Sequence, residues 1–202
     1  MVVFLEQVAA DVVVGVWKFD PVCSLEDTPQ EVAPGLETLC ESRRREIAST
    51  YSLLRIMTNG ADLVVRHNSS GKPFVEGWNI SISHTRGFVS VILSRNLDVA
   101  VDMEYIDTRV NRIAHKFLRA DETPSGLIPR IIHWCAKEAM YKLFSERHLP
   151  FSDIRISPFV LNDHSGKIFV ENLSMQSSVT FHYSYNADYV IVYGFRVSCE
   201  KK

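Results

Sequence analysis

The amino-acid sequence predicts an α+β fold in two halves. Three observations lead there: short Val- and Ile-rich runs that alternate with period two, two long stretches with apolar residues at helical spacing, and an element order of strand, helix, strands that is then followed by strand, helices, strands. The second round begins where Arg95-Asn96 turns the chain. The halves are therefore expected at residues 1–96 and 97–202. Element order alone carries this division, because the two halves share no clear sequence repeat.

Residues 12–19 read as a strand, rich in Val and aromatic residues. A polar, Pro-containing connector follows over 20–34. Residues 36–57 read as a long helix. Its apolar stripe is Leu36, Leu39, Cys40, Ile47, Tyr51, Leu54 and Met57, with Arg43, Arg44 and Arg45 mostly off it. Asn59-Gly60 is a stop signal. Short strands are expected at 62–66, 73–75, 79–83 and 88–94, with a turn over 68–73. The second half is expected to hold a strand at 97–104 and helices at 107–119 and 127–146, parted by Pro124-Ser125-Gly126. Strands at 153–157, 167–171, 178–184 and 188–197 complete it.

The 202 residues suffice for one large domain or two small ones with a real core. A hydrophobic share of 46% against 23% charged is the balance of a folded soluble protein. The net charge of -2 provides no broad basic field, so nucleic acid is not an expected partner and any anion site must be local. Cys23, Cys40, Cys135 and Cys199 are scattered and none has CxxC spacing, which suggests neither a zinc site nor a disulfide framework and fits a reduced cytoplasm. The first residues lack the basic start and long apolar run of a signal peptide, and the apolar stretch at 12–16 is far too short to span a bilayer, so no membrane is expected.

The chemistry-bearing residues fall in a few places. In Leu97-Asp98-Val99-Ala100-Val101-Asp102-Met103-Glu104 the period of two puts Asp102 and Glu104 on the same face at a strand end. Two neighbouring carboxylates repel unless a cation sits between them, and Mg²⁺ takes one or two carboxylates together with phosphate oxygens and water. Taken alone, the segment more often means a solvated strand face. On the helix at 127–146, Ile128, Ile131, Ile132, Cys135, Ala139 and Leu143 form the core stripe, while Trp134, Glu138 and Lys142 lie four apart on another face with Lys137 beside them. A Glu there can complete a metal site and a Lys one turn on can hold a phosphate oxygen. By itself, an ordinary i,i+4 ion pair is the commoner reading. Ser83 and His84, in Asn79-Ile80-Ser81-Ile82-Ser83-His84-Thr85, read either as a capped turn or as a phosphate contact. Lys72 sits in a stiff loop between Gly71 and Pro73.

The order and spacing of these segments are more specific than any one of them. Gly71-Lys72-Pro73, Asn79-Ile80-Ser81-Ile82-Ser83-His84, Val101-Asp102-Met103-Glu104, residues 117–122 and Trp134-Cys135-Ala136-Lys137-Glu138-Ala139-Met140-Tyr141-Lys142 together resemble the motif series of the 4'-phosphopantetheinyl transferases. The resemblance covers roughly residues 40–145. It implies an enzyme that moves the phosphopantetheine arm of coenzyme A onto a serine of an acyl or peptidyl carrier protein and releases adenosine 3',5'-bisphosphate. At this length it points to the surfactin-synthetase-activating type. That type is a monomer of two similar α+β halves related by a pseudo-twofold, each a small antiparallel sheet packed on a long helix. Carried over by position, Asp102, Glu104 and Glu138 match the magnesium ligands and Lys142 a pyrophosphate contact. Lys72, Ser83, His84 and Arg44 match coenzyme A contacts, and Glu122 an acidic position assigned to proton transfer. The catalytic group is thus expected to be Glu138, Lys142 and Glu122, with Phe117, Leu118, Arg119 and Met140 as candidates for meeting the carrier, a core role being equally open to the apolar ones.

The sequence departs from the family pattern at three points: Ala100 stands where Gly is usual, Tyr51-Ser52 precedes Leu53-Leu54 where an Arg is usual, and the turn is Ser83-His84-Thr85. Two other functions share these parts: a metal-dependent phosphodiesterase or nuclease, and a coenzyme A-binding relative without turnover.

Overall fold

A computed structural model describes residues 1–197; Cys199 lies outside the described residues. The fold is α+β, and the chain divides into two compact units, Met1–Leu97 and Asp98–Lys202.

The first unit is a four-stranded antiparallel sheet with a helix laid on it. Its strands are β1 (Val2–Ala9), β2 (Val12–Lys18), β5 (Asn79–Thr85) and β6 (Phe88–Ser94), in the order β1-β2-β6-β5. No strand is expected over residues 2–9 from the sequence pattern, yet β1 forms there. The reason is physical: β1 is an edge strand whose Val3 and Leu5 remain exposed, so no buried face imposes a period on its sequence. It is held as a hairpin partner of β2, with Val14 opposite Glu6 and Gly15 opposite Leu5. Asp11, in that hairpin turn, accepts from the backbone N–H of Arg95 (3.0 Å) and of Asn96 (2.9 Å) and from the Ser94 hydroxyl (2.8 Å). These donors hold its carboxyl down at about 2.

Helix α2 (Glu41–Met57) covers the sheet through Tyr51, Leu53 and Leu54, which pack with Ile80, Val91 and Leu93. Gly15 allows the approach, since a Cβ there would lie 2.9 Å from Leu53 Cδ1. The expected helix over 36–57 is broken in two. A short turn, α1 (Ala33–Leu36), ends before Cys40, which is extended. Arg44 bridges the break by donating to the carbonyls of Leu36 (3.2 Å), Glu37 (3.3 Å) and Leu39 (3.1 Å). At the other end Asn59 and Gly60 take φ of 54° and 91°, the left-handed exit that Asn-Gly favours. Between helix and β5 only a small ribbon forms, β3 (Arg66–His67) with β4 (Pro73–Phe74), shorter than expected.

The second unit has a five-stranded sheet, helix α3 (Arg109–Phe117) and helix α4 (Leu127–Leu143). Its strands are β7 (Leu97–Tyr105), β8 (Ile154–Ile156), β9 (Ser165–Asn172), β10 (Ser177–Tyr185) and β11 (Tyr189–Val197), in the order β7-β11-β10-β9-β8. The pairs β10/β11, β9/β10 and β8/β9 are antiparallel. Helix α4 packs on β11 and α3 and buries Ile131, Ile132, Cys135, Ala139 and Leu143, the stripe its sequence displays. Phe117 and Met140 are buried in the same core, so neither is a surface that meets a partner. Among the described residues no helix is long and apolar enough to cross a membrane.

Candidate active site

Strand β7 and helix α4 bring the acidic residues of the second unit together. Asp102 is buried and Glu104 half-buried on the strand, and the Trp134–Glu138–Lys142 stripe of α4 runs alongside them. The two elements meet at both ends. The Trp134 indole N–H donates to Glu104 Oε1 at 3.2 Å. The Lys142 ammonium donates to Asp102 Oδ1 at 2.7 Å and to the Val101 carbonyl at 3.0 Å. Trp134 is fixed in turn by edge-on contacts with Phe117 and Phe151, at centroid distances of 5.2 and 5.8 Å.

Glu138 lies between these contacts. Its carboxyl is pushed up to about 7, first by burial and then by the negative charges of Asp102 and Glu104, with Lys142 opposing. Three acids, Asp102, Glu104 and Glu138, here face one lysine, Lys142, and a surplus of carboxylates favours the uptake of a cation. The donors are carboxylate oxygens, the hard ligands that suit Mg²⁺. Among the described residues, however, no three His, Cys, Asp or Glu side chains are close enough together to count as a ready-made metal cage. Lys142 takes up Asp102, and Trp134 takes up Glu104. Beneath them Cys135 is fully buried, and its thiol is raised well above its ordinary value by burial and then by the two acids.

Glu122 lies elsewhere. It forms a sealed ion pair with Lys137 at 2.6 Å, with side-chain exposures of 1% and 0%. Its carboxylate also accepts from the backbone N–H of Ile156 (2.8 Å) and of Arg119 (3.0 Å). Lys137 donates further to the carbonyls of Ile154 (2.8 Å) and Phe151 (3.4 Å), which fills its three protons. Burial lowers the Lys137 ammonium from its ordinary value, and Glu122 opposes that.

The remaining expected site residues belong to the first unit. Ser83 is buried on β5, and His84 after it is exposed, with its Nδ1 3.5 Å from Glu46 Oε1. Glu46 also pairs with Arg43 at 2.6 Å, so the His84 ring sits beside an Arg–Glu pair that sequence reasoning did not assign to it. An i,i+3 Arg–Glu spacing was visible, but nothing local ties it to a strand 38 residues on. Lys72 stands half-buried in a loop organised by Asn68, whose Oδ1 accepts from the N–H of Ser70 and of Lys72. Arg44 is engaged on the three carbonyls already described.

The acids of β7 and the stripe of α4 both fall in one recognisable stretch. Residues 98–193 match the family model of the 4'-phosphopantetheinyl transferase superfamily. The match covers just under half of the chain, lies wholly inside the second unit and supports the superfamily for that unit. Members of the superfamily are phosphopantetheinyl transferases, which use coenzyme A and carrier proteins and typically a divalent metal. No curated protein matches the chain.

Proposed function

We propose that this protein is a Mg²⁺-dependent 4'-phosphopantetheinyl transferase, moving the phosphopantetheine arm of coenzyme A onto a serine of an apo carrier protein and releasing adenosine 3',5'-bisphosphate. The observation that carries the reading is the alignment of Asp102, Glu104, Glu138 and Lys142 on two packed elements inside the matched stretch. Asp102, Glu104 and Glu138 would hold the metal. When bound, Mg²⁺ supplies Lewis-acid charge on the pyrophosphate.

The chain's own groups do the rest. Lys142 lies within reach of the acids and gives a cation for the pyrophosphate oxygen on which charge develops. The carrier serine is a poor nucleophile at neutral pH and must lose its proton as it attacks the β-phosphate. Glu138 is the base we favour, since its carboxyl borders both Asp102 and Lys142, beside the acids that would hold the metal. A carboxylate shared with a metal is a weakened base, so the proton passes through a water. Glu122 is less suited, because its oxygens are taken by Lys137 and two backbone N–H groups away from solvent.

In the same reading the chain is a cytoplasmic monomer of the surfactin-synthetase-activating type, its similar halves related by a pseudo-twofold. The first half contacts coenzyme A through Lys72, Ser83, His84 and Arg44, and the second holds the metal. Incubation with coenzyme A, Mg²⁺ and a panel of apo carrier proteins tests the reaction by mass spectrometry. A gain of one phosphopantetheine on a carrier, lost on chelation, is the expected result. Nucleic-acid cleavage, or coenzyme binding with no transfer, would overturn it.

A further inference from the structure

We propose that Lys137 and Glu122 are positioning residues for the acidic site, acting through Phe151 and Trp134. The inference rests on the function proposed above and assigns Glu122 a part other than proton transfer.

The pair joins four segments of the second unit. Lys137 comes from α4, Glu122 from the loop after α3, Phe151 from the 3-10 turn at Phe151–Asp153, and Ile154 and Ile156 from β8. Every proton of the ammonium and both carboxylate oxygens are engaged, so the arrangement admits one geometry only. Lys137 immediately precedes Glu138, and successive side chains on a helix point about 100° apart. Fixing Lys137 toward β8 therefore fixes Glu138 toward β7.

A second contact path runs sideways. Lys137 holds the Phe151 carbonyl, the Phe151 ring meets the Trp134 ring edge-on at 5.8 Å, and the Trp134 indole donates to Glu104 Oε1 at 3.2 Å. The sealed pair is thus in continuous contact with two of the three acids. It touches no solvent, so neither member meets a substrate. An ion pair this deep adds little net stability compared with apolar residues of the same size, which leaves geometry as its contribution.

The test is the double variant Lys137→Met with Glu122→Leu in the full chain, which removes both charges and leaves neither stranded. Wild-type and variant proteins are compared by thermal melting, by steady-state transfer and by calorimetric titration of Mg²⁺ with coenzyme A present. The expected result is a folded variant with kcat lower by about 10- to 100-fold, KM for coenzyme A unchanged, and Mg²⁺ affinity weakened by a similar factor, the range seen when supporting residues behind metal ligands are lost. A folded variant with wild-type kcat and Mg²⁺ affinity overturns the proposal. If the double variant does not fold, Phe151→Leu decides: the same split of kcat from KM supports the path, and wild-type turnover overturns it. If wild-type protein transfers nothing, the proposed function fails, and the Mg²⁺ titration decides alone. Weaker Mg²⁺ binding in the variant then supports the positioning pair, and equal binding or none overturns it.

Discussion

Helix α4 carries two lysine–carboxylate pairs of nearly equal length, Lys137–Glu122 at 2.6 Å and Lys142–Asp102 at 2.7 Å. Their surroundings differ. The first has side-chain exposures of 0% and 1%, the second 28% and 9%. Both Glu122 and Lys137 have backbone partners that complete their valences, whereas the Lys142–Asp102 pair borders a third carboxyl, Glu138, raised to about 7. Distance alone does not separate a sealed pair from one that borders water and further charge.

The largest effect that would sharpen this contrast is the single variant Lys137→Met. It leaves Glu122 charged and buried, and should cost about 3–5 kcal/mol, a large share of a domain's stability. Chemical denaturation measures this, and a loss near zero would put Lys137 in the same class as Lys142. Glu138→Gln should leave a folded protein and lower transfer by roughly 10²–10⁴, the usual contribution of a general base. Normal turnover in that variant would remove Glu138 from the mechanism. For Lys142→Met, which leaves the buried Asp102 carboxylate without its lysine but within reach of water on the Lys142 side, we expect a smaller loss of stability than for Lys137→Met, together with a clear drop in kcat. Equal losses of stability in the two lysine variants would erase the contrast.

A smaller effect is the response to pH. Glu138 binds a proton in the folded chain up to about 7, while the unfolded chain releases it near 4.5. Metal-free protein should therefore lose stability as pH rises across that window, and Mg²⁺ should restore more of it at pH 8 than at pH 5. Melting curves of metal-free wild type and Glu138→Gln check this, since the fall with rising pH should be absent in the variant, leaving the opposite slope of buried His133. Asp11 in the first unit has the opposite sign. Its carboxyl is held at about 2, so its stabilising part is present above 3.8 and fades as pH falls toward 2. Asp11→Asn should flatten acid unfolding in that range.

Much of this arrangement was legible in the sequence for local reasons. The alternation of β7 and the stripe of α4 follow from period two and period 3.6, and each needs only its own segment. The left-handed exit at Asn59-Gly60 was written in two residues. What escaped depends on distant partners. Lys137 and Glu122 are 15 positions apart on different elements, and no local rule pairs them. Strand β1 lacks a buried face to pattern it, and the break before Cys40 is sustained by an Arg44 guanidinium that no propensity scale weighs. The Glu46–His84 contact joins a helix to a strand in the same way.

Cys135 has a practical consequence. A thiol that is sealed from solvent and reluctant to ionise does not react with maleimides or mild oxidants. Cys40, exposed at the start of α2, offers an attachment point in the other unit. A dye or a solid support coupled there, with half-buried Cys23 replaced, would leave the sulfur beneath the acids of β7 untouched, so a label in the first unit reports on binding without a reagent entering the second.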